Sequence, residues 1–231
     1  YAPFCGLPPL PAELWGRWTL DPWLIGGLLA FLSLGLAFAE NQRRFAGAWA
    51  LVAVLFISPL CAASMALFSA RVGQHILLTL VAAPLIAFAL PRLRLPPLPT
   101  AITFAALFWF WHAPGPYQAT LESDLTYWTM HLSLVGTGVA LIAALRAAPE
   151  RTVLAAALTR AQLTVLAMLL PLAPAPWHAW HMATTLPYGL TALADQQLAG
   201  ALMWVAGGAL FLTLMGCLAS GFLRRAETRE I

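Results

Sequence analysis

Charged residues make up only 9% of the 231 positions, against about 25% in a soluble domain, which excludes a water-soluble globule. Lysine is absent. The twelve basic residues are all arginine, in no cluster longer than two, so a net charge of +3 builds no basic stripe for a nucleic-acid partner. Cysteine is equally sparse. Cys5, Cys61 and Cys217 lie far apart with no CxxC, which excludes a structural zinc site and a thioredoxin-type motif. No HExxH occurs, and carboxylates are too few for a magnesium or calcium site. Short alternating segments, the mark of a membrane barrel, are also missing.

What the chain has instead is apolar sequence. Hydrophobic residues account for 61% of it and the mean hydropathy is +0.79. They gather into seven continuous runs, 22–39, 48–69, 72–90, 97–112, 125–145, 155–173 and 196–222, each long enough or nearly so to cross a hydrocarbon core of ~30 Å. Only helices satisfy the backbone of such runs in lipid. The expected fold is therefore all-α, a polytopic membrane protein with a seven-transmembrane-helix bundle at 22–222. Residues 1–21, rich in Pro and Trp and without the basic-then-apolar order of a signal peptide, read as an extracytoplasmic arm, and 223–231 as a cytoplasmic tail.

Seven crossings put the termini on opposite sides. Arg43, Arg44, Arg92, Arg94, Arg146, Arg151, Arg160, Arg224, Arg225 and Arg229 collect on one side, with only Arg17 and Arg71 on the other. The positive-inside rule makes the larger group cytoplasmic and the N-terminus external. Trp15, Trp18, Trp23, Trp109, Trp111, Trp128, Trp177, Trp180 and Tyr188 then form an aromatic belt near the outer interface.

All five histidines fall on that outer side: His75 opening the third span, His112 closing the fourth, His131 early in the fifth, His178 and His181 in the last outer loop. A tight hairpin between the second and third spans brings Met65 and His75 to similar depth, with Cys61 one turn from Met65 on the same helix face. His131 reaches a comparable depth, and Asp195 begins the seventh span. Taken alone, Cys61 and Met65 are ordinary fillers of an apolar face. Buried imidazoles in a membrane span mark function, and a mixed Cys, Met and His set suits copper, Cu(I) above all. His112 reads equally as a ligand or as a helix-end histidine bonded to a carbonyl. His178 and His181, at i and i+3 with Met182 beside them, read as an aromatic anchor or as a metal transfer site. Cys5 either adds a thiolate or pairs with Cys61 in an oxidising compartment, and Cys217 reads as packing.

Several strings together resemble the CtaG family of multi-spanning cytochrome c oxidase assembly factors. They are Leu67-Phe68-Ser69-Ala70 with Gln74-His75-Ile76-Leu77-Leu78, Trp109-Phe110-Trp111-His112-Ala113-Pro114 with Tyr117, Tyr127-Trp128-Thr129-Met130-His131, and Asp195-Gln196-Gln197-Leu198-Ala199-Gly200 with Met203-Trp204. The resemblance runs from about Pro8 to Phe222. It implies a seven-helix protein of the bacterial inner membrane that helps make active haem-copper oxidase by delivering or holding copper at the outer face. The family's recurrent polar positions fall on His75, His112, His131, Asp195 and Gln196. Where many members have a further histidine four residues before His75 and His131, this chain has Arg71 and Tyr127.

The favoured expectation is thus a non-enzymatic copper-handling assembly factor, multi-pass in the bacterial inner membrane. Its ligands are His75, His131, Cys61, Met65 and His112, with Asp195 and Gln196 behind them for charge balance and orientation. Haem-copper oxidase subunits or another large membrane complex are its partners. An accessory subunit stably bound to such a complex is the first alternative. A b-type cytochrome, with His75 and His131 as axial ligands, is the second.

Overall fold

The computed structural model describes residues 2–147 and 149–227, with side chains throughout except at 149–151 and 223–227. The tail expected at 223–231 therefore lies largely outside the described residues, as do Arg229 and the side chains of Arg151, Arg224 and Arg225. Ten α-helices and no strand occur among the described residues, so the chain is all-α. In order they are α1 (Pro22–Phe38), α2 (Gln42–Ile57), α3 (Pro59–Ala66), α4 (Phe68–Leu77), α5 (Ala83–Ala89), α6 (Pro97–His112), α7 (Pro114–Glu122), α8 (Asp124–Ala147), α9 (Pro149–Leu172) and α10 (Ala192–Glu227).

Four segments among the described residues are long and apolar enough to cross a membrane: Phe68–Ala89, Asp124–Ala147, Thr152–Leu172 and Ala192–Phe222. A fifth arises if α2 and α3, bent by 53° at their junction, count as one broken span. The bend has a local cause. Ser58 is extended and its side chain accepts from Leu60 N, while Pro59 occupies the first helical position, a stop-and-restart signal within an apolar run. A π-helical turn at Leu78–Ala82 joins α4 to α5 and sits just ahead of Pro84, which has no N–H to continue the α pattern. Helix α1 starts by the same device as α3, with Asp21 accepting from Trp23 N and Leu24 N ahead of Pro22.

The helix ends sort into two groups. At one end Asn41 N donates to Ala89 O, Arg146 donates to Ala87 O, and Glu40, Arg44, Arg92 and Arg146 line one recess. At the other, the N-terminal arm is tied down by Thr19 N donating to Ile57 O, Tyr188 Oη donating to Pro9 O at 2.9 Å, and the Cys5–Cys61 disulfide. Helix α10 packs closely on α9 because Gly200 has no side chain: a Cβ there would lie 2.5 Å from Pro171 Cδ and 2.8 Å from Ala167 O.

Candidate functional site

The site is built on α4, whose start is held from a distance. Leu67 is extended and gives the helix no side-chain cap. Asp195, fully buried at the start of α10, accepts from Phe68 N at 2.6 Å and Ser69 N at 3.3 Å, and from the Ser69 hydroxyl. A carboxylate aimed at a helix N-terminus satisfies orphan donors and favours the helix dipole. Gln196, beside it, donates to Leu170 O and accepts from Trp177 N, pinning the last loop to the end of α9. Both residues therefore position the backbone rather than face a ligand.

One and two turns into α4 come Arg71 and His75. His75 is buried and neither ring nitrogen has a hydrogen-bond partner. Its ring lies edge-on to two others, 5.7 Å from His112 at the end of α6 and 5.2 Å from His131 in α8, centroid to centroid. Nδ1 of His112 is 2.7 Å from Phe108 O and Nδ1 of His131 is 2.9 Å from Tyr127 O. A carbonyl only accepts, so Nδ1 carries the proton in both rings and Nε2 keeps its lone pair. Both Nε2 atoms are buried and unpartnered. Three helices thus converge three imidazoles, two of them held in one tautomer by an i−4 carbonyl, the arrangement that metal-binding histidines use.

The sulfur donors do not join them, which corrects the expected four-donor set. Cys61 is bonded to Cys5 and offers no thiolate in this form. The hairpin turns on Leu67 alone, and Met65 meets Arg71 rather than His75, with Sδ 3.6 Å from Nη2. Arg71 does not reach outward to the headgroups. It is fully buried, donates to Thr120 Oγ1 at 2.9 Å, and stands 5.2 and 5.7 Å from the ring centroids of Tyr117 and Tyr127. Its position four residues before His75 was the available signal, since i and i+4 share a helix face. As the side chains stand, no three His, Cys, Asp or Glu among the described residues are arranged to hold a metal ion.

The loop between α9 and α10 adds two more buried histidines. His181 Nδ1 donates to Ala66 O at 3.2 Å and Nε2 accepts from Tyr117 Oη at 2.7 Å, so it is an anchor. His178 stacks on Tyr117, centroids 4.0 Å apart, and both of its nitrogens are unpartnered. Burial, more than the neighbouring cations and histidines, pushes both imidazoles down to about 3, and burial pushes the Tyr117 hydroxyl up. The loop is therefore neutral at physiological pH. Met182 is exposed and takes no part. Below His75 and His112 lies a cavity of about 20 Å³, closed by Thr79, Phe104, Arg160 and Gly207, room for roughly one water.

A family model for cytochrome c oxidase caa3 assembly factors (Caa3_CtaG) matches residues 39–99 and 92–225. The chain belongs to the Caa3_CtaG family. No curated protein and no solved structure is significantly similar to it. The match spans α2 to α10 and so includes every histidine of this Caa3_CtaG protein. The rings of His75 and His131 stand edge to face with centroids 5.2 Å apart and the cavity beside His75 is about 20 Å³, so as the side chains stand there is no room for a haem between them.

Proposed function

We propose that this cytochrome c oxidase assembly factor handles copper as Cu(I) at His75, His112 and His131. The observation that carries the reading is the set of buried lone pairs with nothing to bind. Leaving a buried polar atom unpaired costs about 1–3 kcal/mol, and four ring nitrogens of the trio are so placed. The spacing fits an ion. A metal–nitrogen bond of ~2.0 Å puts a ring centroid about 3.2 Å from the metal, and trigonal or tetrahedral angles then separate two centroids by roughly 5.1–5.5 Å. The observed separations from His75 are 5.2 Å to His131 and 5.7 Å to His112, near that range for both pairs, and a closed site further requires His112 and His131 to approach each other. A neutral donor set beside the buried Arg71 guanidinium favours the ion of lowest charge, because a buried charge is costly in proportion to its size. Imidazole accommodates copper.

The same reading includes seven crossings, with α1 and α6 as short spans of ~25 Å accommodated by local thinning. Setting aside Arg71, which is fully buried, and Arg160, which is half-buried in the wall of a cavity, every remaining arginine but Arg17 falls on one side by sequence position. That arrangement supports a cytoplasmic C-terminus and a site facing the periplasm or cell exterior. Haem-copper oxidase subunits are the partners. A stable accessory subunit is the competing reading, favoured by the absence of a closed metal cage among the described residues.

Copper loading of the purified protein under reducing conditions tests the choice. About one Cu(I) per chain with nitrogen neighbours by X-ray absorption is expected, lost in His75→Ala and kept in Cys61→Ser. No copper above background, or sulfur in the coordination sphere, overturns it.

A further inference from the structure

We propose that this chain holds an anionic phospholipid by its phosphates in the recess at the arginine-rich end of the bundle. That end is cytoplasmic in the topology proposed above; only the choice of leaflet rests on that reading, and the site is separate from the histidines. The recess encloses about 650 Å³ between the α1–α2 turn, the start of α2, the end of α5 and the end of α8. Arg44, Arg92 and Arg146 reach it from three separate segments, and Glu40, Asn41 and Phe88 complete its wall.

The frame of the recess is tied together. Asn41 N donates to Ala89 O at 3.1 Å, which joins the α1–α2 turn to the end of α5. Arg146 donates to Ala87 O and Leu90 O and lies over the Phe88 ring, 5.1 Å from its centroid. Its guanidinium is thus a fixed positive charge that also takes up carbonyls at the negative end of α5. Helix α2 starts at the recess with Asn41 as its cap, so the positive end of its dipole points there too.

Two cations remain for a ligand. Arg44 and Arg92 are exposed, and neither forms an ion pair among the described residues, although Glu40 lines the same recess. Three guanidiniums against one carboxylate leave two positive charges, the complement of a headgroup with two phosphates, and a guanidinium fork matches a phosphate with parallel hydrogen bonds. The rim says that the phosphate belongs to a lipid. Phe38 ends α1 two residues before Glu40 and Leu93 follows Arg92; they are 69% and 51% exposed, so apolar side chains stand beside the arginines where acyl chains would continue from a bound headgroup. Basic pockets between spans at the cytoplasmic interface recognise lipids in this way.

The sequence contains its own control. Arg43-Arg44 and Arg92-Leu93-Arg94 each place one arginine in the recess and one outside it. Native mass spectrometry of the delipidated full chain, titrated with cardiolipin, phosphatidylglycerol or phosphatidylcholine, reads the site. Cardiolipin is expected to bind most tightly, about tenfold or more above phosphatidylcholine, with phosphatidylglycerol between them. Arg44→Gln/Arg92→Gln is expected to weaken cardiolipin about tenfold, while Arg43→Gln/Arg94→Gln, with the same loss of charge, stays within about twofold of wild type. All four side chains are exposed, so both variants are expected to keep the wild-type Tm in lipid-free detergent, which reports their folding. Equal losses in the two double variants, or phosphatidylcholine bound as tightly as cardiolipin, overturn the site. Cardiolipin bound no more tightly than phosphatidylglycerol overturns the two-phosphate assignment, and displacement of cardiolipin by inorganic phosphate at equal concentration overturns the lipid source.

Discussion

Replacing Asp195 by alanine separates a structural role from a metal role at the same end of the bundle. The carboxylate holds two α4 amides, Phe68 N and Ser69 N, at 2.6 and 3.3 Å, while the Ser69 hydroxyl can turn to another acceptor. Alanine leaves the two amides buried and unpaired at about 1–2 kcal/mol each, so the loss is about 2–4 kcal/mol, at or above the upper end for a lost helix cap. For a chain of this size that corresponds to a fall in Tm of roughly 6–12 °C. Asparagine keeps one accepting oxygen but loses the charge facing the helix dipole, worth up to about 2 kcal/mol in a buried setting, and falls between. Unfolding in lipid nanodiscs, followed by tryptophan fluorescence, gives the values. Asp195→Ala is expected to retain copper at low temperature, because Asp195 touches α4 amides and not the imidazoles. A Tm within about 2 °C of wild type refutes the capping argument, and normal stability with copper lost reassigns Asp195 to the metal.

Three further outcomes follow from the geometry. The stability of the α9–α10 loop is pH-dependent: His178 and His181 titrate near 6.5 when unfolded and at about 3 when folded. The unfolded chain therefore binds more protons between those values, and the stability they confer is complete above pH ~6.5 and lost as pH falls, by about 2 kcal/mol each between pH 7 and 5. A Tm that does not fall over that range in metal-free protein contradicts it, and His178→Phe is expected to reduce the slope. Gly200→Ala forces a methyl against Pro171 and Ala167 and is expected to lose about 1–3 kcal/mol, seen as a lower Tm; an unchanged Tm rules out the close α9–α10 contact. Cleaving Cys5–Cys61, which closes a loop with a sequence separation of 56, removes about 4 kcal/mol on chain-entropy grounds. Cys5→Ser and dithiol reduction are expected to lower Tm alike, and on unfolding Cys61 is expected to be alkylated in both and protected in the untreated wild type.

Local signals in the sequence were legible where they stood alone. Helix α6 runs from Pro97 to His112, the expected limits, because prolines at 97 and 114 bracket an uninterrupted apolar run. Averaged hydropathy hid shorter punctuation. The expected span at 48–69 contains Ser58-Pro59, a helix cap and restart, and its 53° bend with the one-residue turn at Leu67 separates Cys61 and Met65 from His75. Helix α7 was missed because nine residues with two prolines and a glycine carry no apolar period. The Asp195 contacts, 127 and 126 residues apart in sequence, have no local signature at all.

The arginines show why topology and site cannot be read from the same count. Arg71 and Arg160 were assigned to opposite faces by sequence position, yet Arg71 is fully buried and Arg160 is half-buried against the cavity beside His75. Arg71 shares a helix face with His75 by the i, i+4 rule, so whatever buries the imidazole also buries the guanidinium. Arg160 lies in the middle of α9 and closes the cavity under His75 and His112, fitting against α10 only where Gly208 leaves space: a Cβ there would be 2.7 Å from Nη2. A mid-span arginine opposite paired glycines is therefore a packing signal, not a loop marker. Cations above and below the three imidazoles, with no ion-pair partner within 4 Å among the described residues, raise the energy of any second positive charge placed between them. Under the proposed copper-handling role, that electrostatic frame disfavours a divalent ion in the trio more than a monovalent one.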